Sequence, residues 1–254
     1  MKTHITWLCA ILLTLCQSLY AQNATPEVPT EVPTEVPDVS GRKAWVMTTT
    51  IPKDLENPLK ILSAEKVHDV RMHMRSMGKP VKVDKDGIVR AVKVIVNEEG
   101  EETYQNLSYS KIPEGVREAL IILVPETRDA VGLRFKSKVI DLSKFKKGGC
   151  LYVNMVNTKI GVTHGDLKTR IAPGKMELVH PLGNKEKGAF LIKFFYEVPN
   201  EKKAEWKFLT SFKMASYKSR REICIFFYNK QIKNVDFRGV SFTIPPTRTP
   251  PKPK

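Results

Sequence analysis

The sequence predicts an all-β protein, built as one large antiparallel β-sandwich or as two in tandem. Two observations carry that expectation. Apolar and polar residues alternate with period two through the middle of the chain, and turn signals recur at close spacing with no long amphipathic helix between them. In AFLIKFFYEV, Phe190, Ile192, Phe194, Tyr196 and Val198 share one face. In AEWKFLTSFKM, Trp206, Phe208, Phe212 and Met214 are expected on one face, with Lys207, Ser211 and Lys213 on the other. KAWVMTTTI, HDVRMHMR, IVRAVKVIV, ETYQNLSYS, ALIILV, CLYVNMV, KMELV, EICIFFY and NVDFRGVSF also read as strands. DKDG, NEEGEE, KKGG, THGD, APGK and PLGN separate them as turns. VNEEGEETY reads as a hairpin, and short helical turns are expected near 113–118 and 142–146. The region around Trp206 and Phe226 is the most apolar and is expected to form the main core.

In chain order, the first element is a secretory signal over residues 1–21. It has a basic start at Lys2, an apolar run and a small residue, Ala21, at the cleavage point. Cys16 suggests a lipoprotein signal instead, but Leu15 stands where that pattern needs a small residue. Residues 22–40 form an acidic, proline-spaced linker, PEVPTEVPTEVPDV, with Glu27, Glu31, Glu35 and Asp38 and no base. Proline at every fourth position favours an extended polyproline-like chain of about 3.1 Å per residue. It serves either as a spacer or as a leash folding back over a basic surface. A β domain over 41–116 and a second over 117–244 follow, divided where Pro113 and Gly115 interrupt the alternation. A basic proline-rich tail, 245–254, ends the chain. VRMHMRSMGKPVKVDKDGIVRAVKV and YVNMVNTKIGVTHGDLKTRIAPGKMELV share a strand and turn layout, a faint internal echo that suits two related modules. No later segment is apolar over the 18 to 20 or so residues that a membrane span needs, so the protein is expected to be exported, periplasmic or extracellular.

Charge is the main functional clue. The chain carries +15, and the body 41–244 carries all of that excess once the ends are set aside. A field of this sign favours polyanions: acidic polysaccharide or an anionic envelope surface. No nucleic-acid module is recognisable. The candidate binding residues are Lys136, Lys138, Lys144, Lys146 and Lys147, with Lys213, Lys218, Arg220 and Arg221. The competing reading is that these lysines solubilise sheet faces and guard sheet edges. After signal removal two cysteines remain, Cys150 and Cys224, either as a disulfide or as small buried hydrophobes. Met72, His73, Met74 and Met77 offer thioether and imidazole ligands. On a strand, however, Met72 and Met74 share the face of Val70 while His73 points away beside Arg71 and Arg75. No cofactor or metal is expected. Catalytic signatures such as GxSxG, HExxH and GxxxxGK[ST] do not occur. The nearest thing to a hidden enzymatic site is His164 and Asp166 with Cys150. Asn23 and Asn106 head Asn-X-Ser/Thr sequons.

The segment FKKGGCLYVNMVNTKIGVTHGDLKTRIAPGK resembles a pattern of uncharacterised exported bacterial β-sandwich proteins. Gly148, Gly149, Asn154, Gly161, Pro173 and Gly174 carry the likeness. IPKDLENPLKIL and VRMHMRSMGKPVKV resemble the opening of such proteins, and the chain is loosely similar to periplasmic β proteins that assist alginate acetylation. The resemblance implies a fold over most of 41–244 and brings no catalytic residues. The function expected from the sequence is non-enzymatic binding or scaffolding at the cell envelope. The alternatives are an exported enzyme, an enzyme accessory or a metal-handling protein.

Overall fold

Strands that are apolar on both sides set the architecture. In the computed structural model, which describes residues 41–126, 132–198 and 204–243, the chain is all-β. The expected signal, linker and tail lie outside the described residues. The first eight strands are β1 (Lys43–Thr48), β2 (Leu59–Ser63), β3 (Lys66–Val70), β4 (Val81–Lys82), β5 (Ile88–Val96), β6 (Glu102–Lys111), β7 (Glu118–Pro125) and β8 (Phe135–Asp141). The next eight are β9 (Cys150–Asn154), β10 (Ile160–His164), β11 (Leu167–Ile171), β12 (Met176–Val179), β13 (Lys187–Val198), β14 (Glu205–Tyr217), β15 (Arg221–Asn229) and β16 (Asn234–Phe242). The expected helical turn near 142–146 is a 3-10 turn, Leu142–Lys144, N-capped by the Asp141 side chain on the Ser143 N–H. The one expected near 113–118 is a plain turn, because β7 already begins at Glu118.

β7, EALIILVP, is buried along its whole apolar run. A strand with no polar face must be covered on both sides. Ala119, Ile121 and Leu123 enter one core, with Val46, Ile61, Val89 and Leu107. Leu120, Ile122 and Val124 enter a second, with Leu151, Val153, Ile223, Ile225 and Phe227. β15 does the same one layer on, since Cys224 and Phe226 join a third core with Tyr152, Ile192 and Phe194. The result is four stacked sheets. The order is outer β3-β2-β5-β6, inner β4-β1-β7-β8, inner β12-β9-β15-β16 and outer β11-β10-β13-β14.

The two halves repeat one topology strand for strand. In each, the first strand runs parallel to the seventh, β1 with β7 and β9 with β15. In each, the pairing of the fifth and sixth strands slips by one residue, at Ala91/Val92 and at Phe194/Phe195. The extra residue is Leu107 in β6 and Leu209 in β14. The topology does repeat, but the expected echo sets the wrong strands side by side. Residues 70–94 hold the end of β3 with β4 and β5, whereas 152–179 hold β9 to β12. Likewise β7 and β8 lie beyond the boundary expected at 116/117, yet β7 pairs with β1 from Lys43↔Glu118 to Thr48↔Leu123. Sheet pairing puts the changeover at the 142–149 connection. Pro113 and Gly115 mark a turn inside the first half. No helix among the described residues is long and apolar enough to cross a membrane.

A candidate polyanion-binding face

The slip at Leu209 decides which residues of β14 meet solvent. Without it, period two would carry Trp206 and Phe208 to the same side as Phe212 and Met214. With it, Phe194 faces Thr210 while Phe195 faces Phe208, and the side-chain order reverses across the bulge. Phe212 and Met214 pack on the third core, whereas Phe208 is 58% exposed and Trp206 half-buried on the outer face. The expected shared face of these four residues is therefore corrected. So is the expected core around Trp206: Phe226 is fully buried in an inner sheet, and Trp206 is not among the core residues.

On that outer face the cross-strand rows read Arg170, Gly161, Phe195, Phe208 and then Lys168, Thr163, Lys193, Ser211. Lys213 follows, opposite Leu191. The indole of Trp206 reaches across to Gly161, where an added Cβ would stand 3.1 Å from its ring. Only glycine leaves that space. The Arg170 guanidinium sits 5.7 Å from the Trp206 ring centroid, a cation–π contact. The Phe195 and Phe208 rings meet edge-to-face at 5.7 Å. Together Gly161, Thr163, Lys168, Arg170, Phe195 and Trp206 line an open recess of about 560 Å³. None of Lys168, Arg170, Lys193 and Lys213 pairs with a carboxylate among the described residues. At the rim, Glu197 is taken up by Lys159 at 3.1 Å.

The cations expected from the sequence fall into three places. Lys144, Lys146 and Lys147 lie in the connection that rests on the 218–221 turn. There the Gly148 N–H donates to the Arg220 carbonyl at 2.6 Å and the Glu222 N–H to the Gly149 carbonyl at 3.1 Å. A Cβ on Gly148, whose φ is +76°, would meet the Lys218 Cα at 3.3 Å. This pole joins Lys144, Lys146, Lys147, Lys218 and Arg220, although Lys144 leans on Asp141 and Lys218 on Glu186. Arg221 is drawn inward over the Phe145 ring, and burial lowers its pKa. Lys136 and Lys138 stand apart on β8, the edge strand of its sheet, with Lys138 donating to the Gly174 carbonyl at 2.9 Å. Lys213 belongs to the aromatic face. Sequence reading missed Lys168, Arg170 and Lys193, and it placed Trp206 and Phe208, two of the rings that accompany them, on the core face. LKTRIAPG and LIKFF contain these residues in plain view, but nothing in either string announces the bulge.

Cys150 and His164 do come together, through a residue that sequence reading did not single out. The Tyr152 hydroxyl lies 2.8 Å from His164 Nδ1, and Cys150, two residues earlier on β9, faces the same core. Asp166 is not part of the cluster; it occupies the exposed β10–β11 turn. The cluster is sealed within the third core, with His164 1% and Cys150 2% exposed. Burial raises the Cys150 thiol to about 12, lowers His164 to about 4 and pushes Tyr152 upward. A thiol held protonated beside a neutral imidazole is a weak nucleophile–base pair. His164 Nε2 has no hydrogen-bond partner among the described residues and points into an aromatic wall, its ring 5.1 Å from that of Phe190. Cys224, whose pKa burial also raises, stands opposite Tyr152 on the neighbouring strand, two residues along from Cys150; both are free thiols.

Met72 packs in the first core beside Val70, as expected. β3 ends at Val70, however, so the alternation stops there, and Met74 is 37% exposed where a core methionine is expected. Met77 packs against the second core instead. Among the described residues no group of three or more His, Cys, Asp or Glu side chains is placed to hold a metal ion. A scan against protein-family models and a comparison with curated proteins each return no match.

Proposed function

We propose that the chain is an exported, non-enzymatic binding or scaffolding protein of the cell envelope that holds an anionic polymer on the outer face of its second sandwich. One observation carries this reading. Four cations, Lys168, Arg170, Lys193 and Lys213, crowd one sheet face without carboxylate partners among the described residues. Like charges set this close repel one another, and a polyanion relieves that repulsion while releasing its own counterions. The pole at Lys146, Lys147 and Arg220 extends the positive field and steers the same ligand class. The cluster of Cys150, Tyr152 and His164 is assigned to the core, where the Tyr152–His164 hydrogen bond satisfies two groups that would be costly to bury alone.

The test is retention of the purified chain on a heparin-type column across a salt gradient. Elution should require added salt, and the combined variant Lys168→Gln/Arg170→Gln/Lys193→Gln/Lys213→Gln should elute markedly earlier. Retention that ignores salt, or a quadruple variant that elutes with the parent, rejects the reading.

A further inference from the structure

The outer face carries more than charge. Phe208 and Leu191 are 58% and 45% exposed beside the half-buried Trp206 and Phe195. A ligand made only of phosphate and flexible backbone would leave that apolar area in water. A pyranose ring has what the face lacks: an apolar C–H face to lie on an aromatic ring and a polar rim to meet donors.

Building on the polyanion reading above, we propose that the ligand is an acidic polysaccharide whose sugar rings stack on Trp206 and Phe208 while their carboxylates are held by Arg170 and Lys168. Three observations converge on it. First, the recess of about 560 Å³ is floored by Gly161, and its size falls within the range of about 300–1,000 Å³ usual for small-ligand sites. Second, Arg170 and Trp206 are already in contact, with 5.7 Å from guanidinium to ring centroid. That contact orients the indole and sets a planar, multi-donor fork beside it, the group best matched to a carboxylate. Third, the fold does not require these residues. The first half places Lys60 and Asp69 at the positions of Gly161 and Arg170, joined by an ion pair at 2.7 Å. Val92 and Asn106 stand at those of Phe195 and Phe208. That half keeps a smaller recess of about 350 Å³ lined by Lys60, Val92 and Gln105, with the Lys60 charge already answered by Asp69. The second half widens the recess, lines it with rings and leaves its cations without carboxylate partners among the described residues.

Calorimetric titration of the purified chain with three probes tests this: a polygalacturonate oligomer, a neutral maltodextrin of similar length, and inorganic polyphosphate. Polygalacturonate should bind tightest. Phe208→Ala, at an exposed position that threatens folding little, should weaken it about five- to tenfold, and Trp206→Ala at least as much. Arg170→Gln should weaken polygalacturonate and polyphosphate alike, whereas Phe208→Ala should leave polyphosphate unchanged. If polyphosphate binds as tightly as polygalacturonate and Phe208→Ala alters neither, the ring inference fails while the polyanion reading stands. Equal binding of maltodextrin and polygalacturonate removes the acidic requirement. Binding of neither polyanion defeats both readings at once.

Discussion

The two halves of this protein share one topology, one bulge and one parallel pairing, and they differ in what they do with the same positions. The inner core of the first half has Ala44, Val46, Ser63 and Ile121 where the second has Cys150, Tyr152, His164 and Cys224. Ser63 donates to the Lys82 carbonyl, whereas His164 meets Tyr152. On the outside, the Lys60–Asp69 pair answers to Gly161 and Arg170. A duplicated scaffold thus separates what folding needs from what was added. Small or apolar residues suffice for the core of the first half, and on its outer face Lys60 is answered by Asp69. The polar cluster and the ring-lined recess are the additions.

The largest effects should come where the halves are alike. Phe226→Ala and its counterpart Leu123→Ala each empty a fully enclosed site beside an inner strand, at about 3–5 and 2–5 kcal/mol respectively. Because both strands also line the shared middle core, urea unfolding should show one transition in both variants, with a lowered midpoint. Two separated transitions would break the picture of a shared core. Acid should then expose a difference between the halves. His164 is held near pKa 4 by burial, so as pH falls the unfolded chain binds the proton first. Stability is therefore lost between about pH 6.5 and pH 4, by about 2–3 kcal/mol at pH 4.5. His164→Ser, the residue of the first half, should remove this component, measured as the gap between chemical denaturations at pH 7 and 4.5. An unchanged gap would mean that His164 is protonated in the folded protein.

Gly161→Lys, which installs the first half's residue, should cost about 1–3 kcal/mol by pushing the Trp206 ring aside and should abolish polygalacturonate binding. Retained binding would detach the recess from the function. The thiols provide a finer probe. Burial keeps Cys150 near pKa 12 and Cys224 raised, so neither should be alkylated in the native protein at pH 8, and both should be after denaturation without reductant. Mass shifts read the result, and a failure to label in denaturant would reveal a disulfide. Least of all, Lys218→Ala breaks a solvent-exposed pair with Glu186 and should change stability by about 0.5 kcal/mol or less.

Much of the fold was legible in the sequence because a strand with one wet face writes its period directly into the residues, as at Phe190, Ile192 and Phe194. Runs such as ALIILV and EICIFFY showed burial but could not say that two cores were being served, since a strand covered on both sides has no period to read. The parallel pairing of β1 with β7 joins residues far apart in the chain, so the domain boundary was drawn at the nearest turn residues instead. The candidate face was hidden for a smaller reason. One extra residue, Leu209, reverses the alternation of β14, and every ring before it changes sides. His164 and Cys150 were visible singly, but their link through Tyr152 depends on β9 and β10 lying in different sheets across a core.

The four-layer stack has a consequence for reach. Sheets pack about 10 Å apart, so the first and last layers are separated by about 30 Å of protein, and their free faces look in opposite directions. A polymer strand captured on the Trp206 side leaves the Lys60 side unobstructed. On the proposed reading, the stack would present one outer face to the polymer and keep the opposite face free.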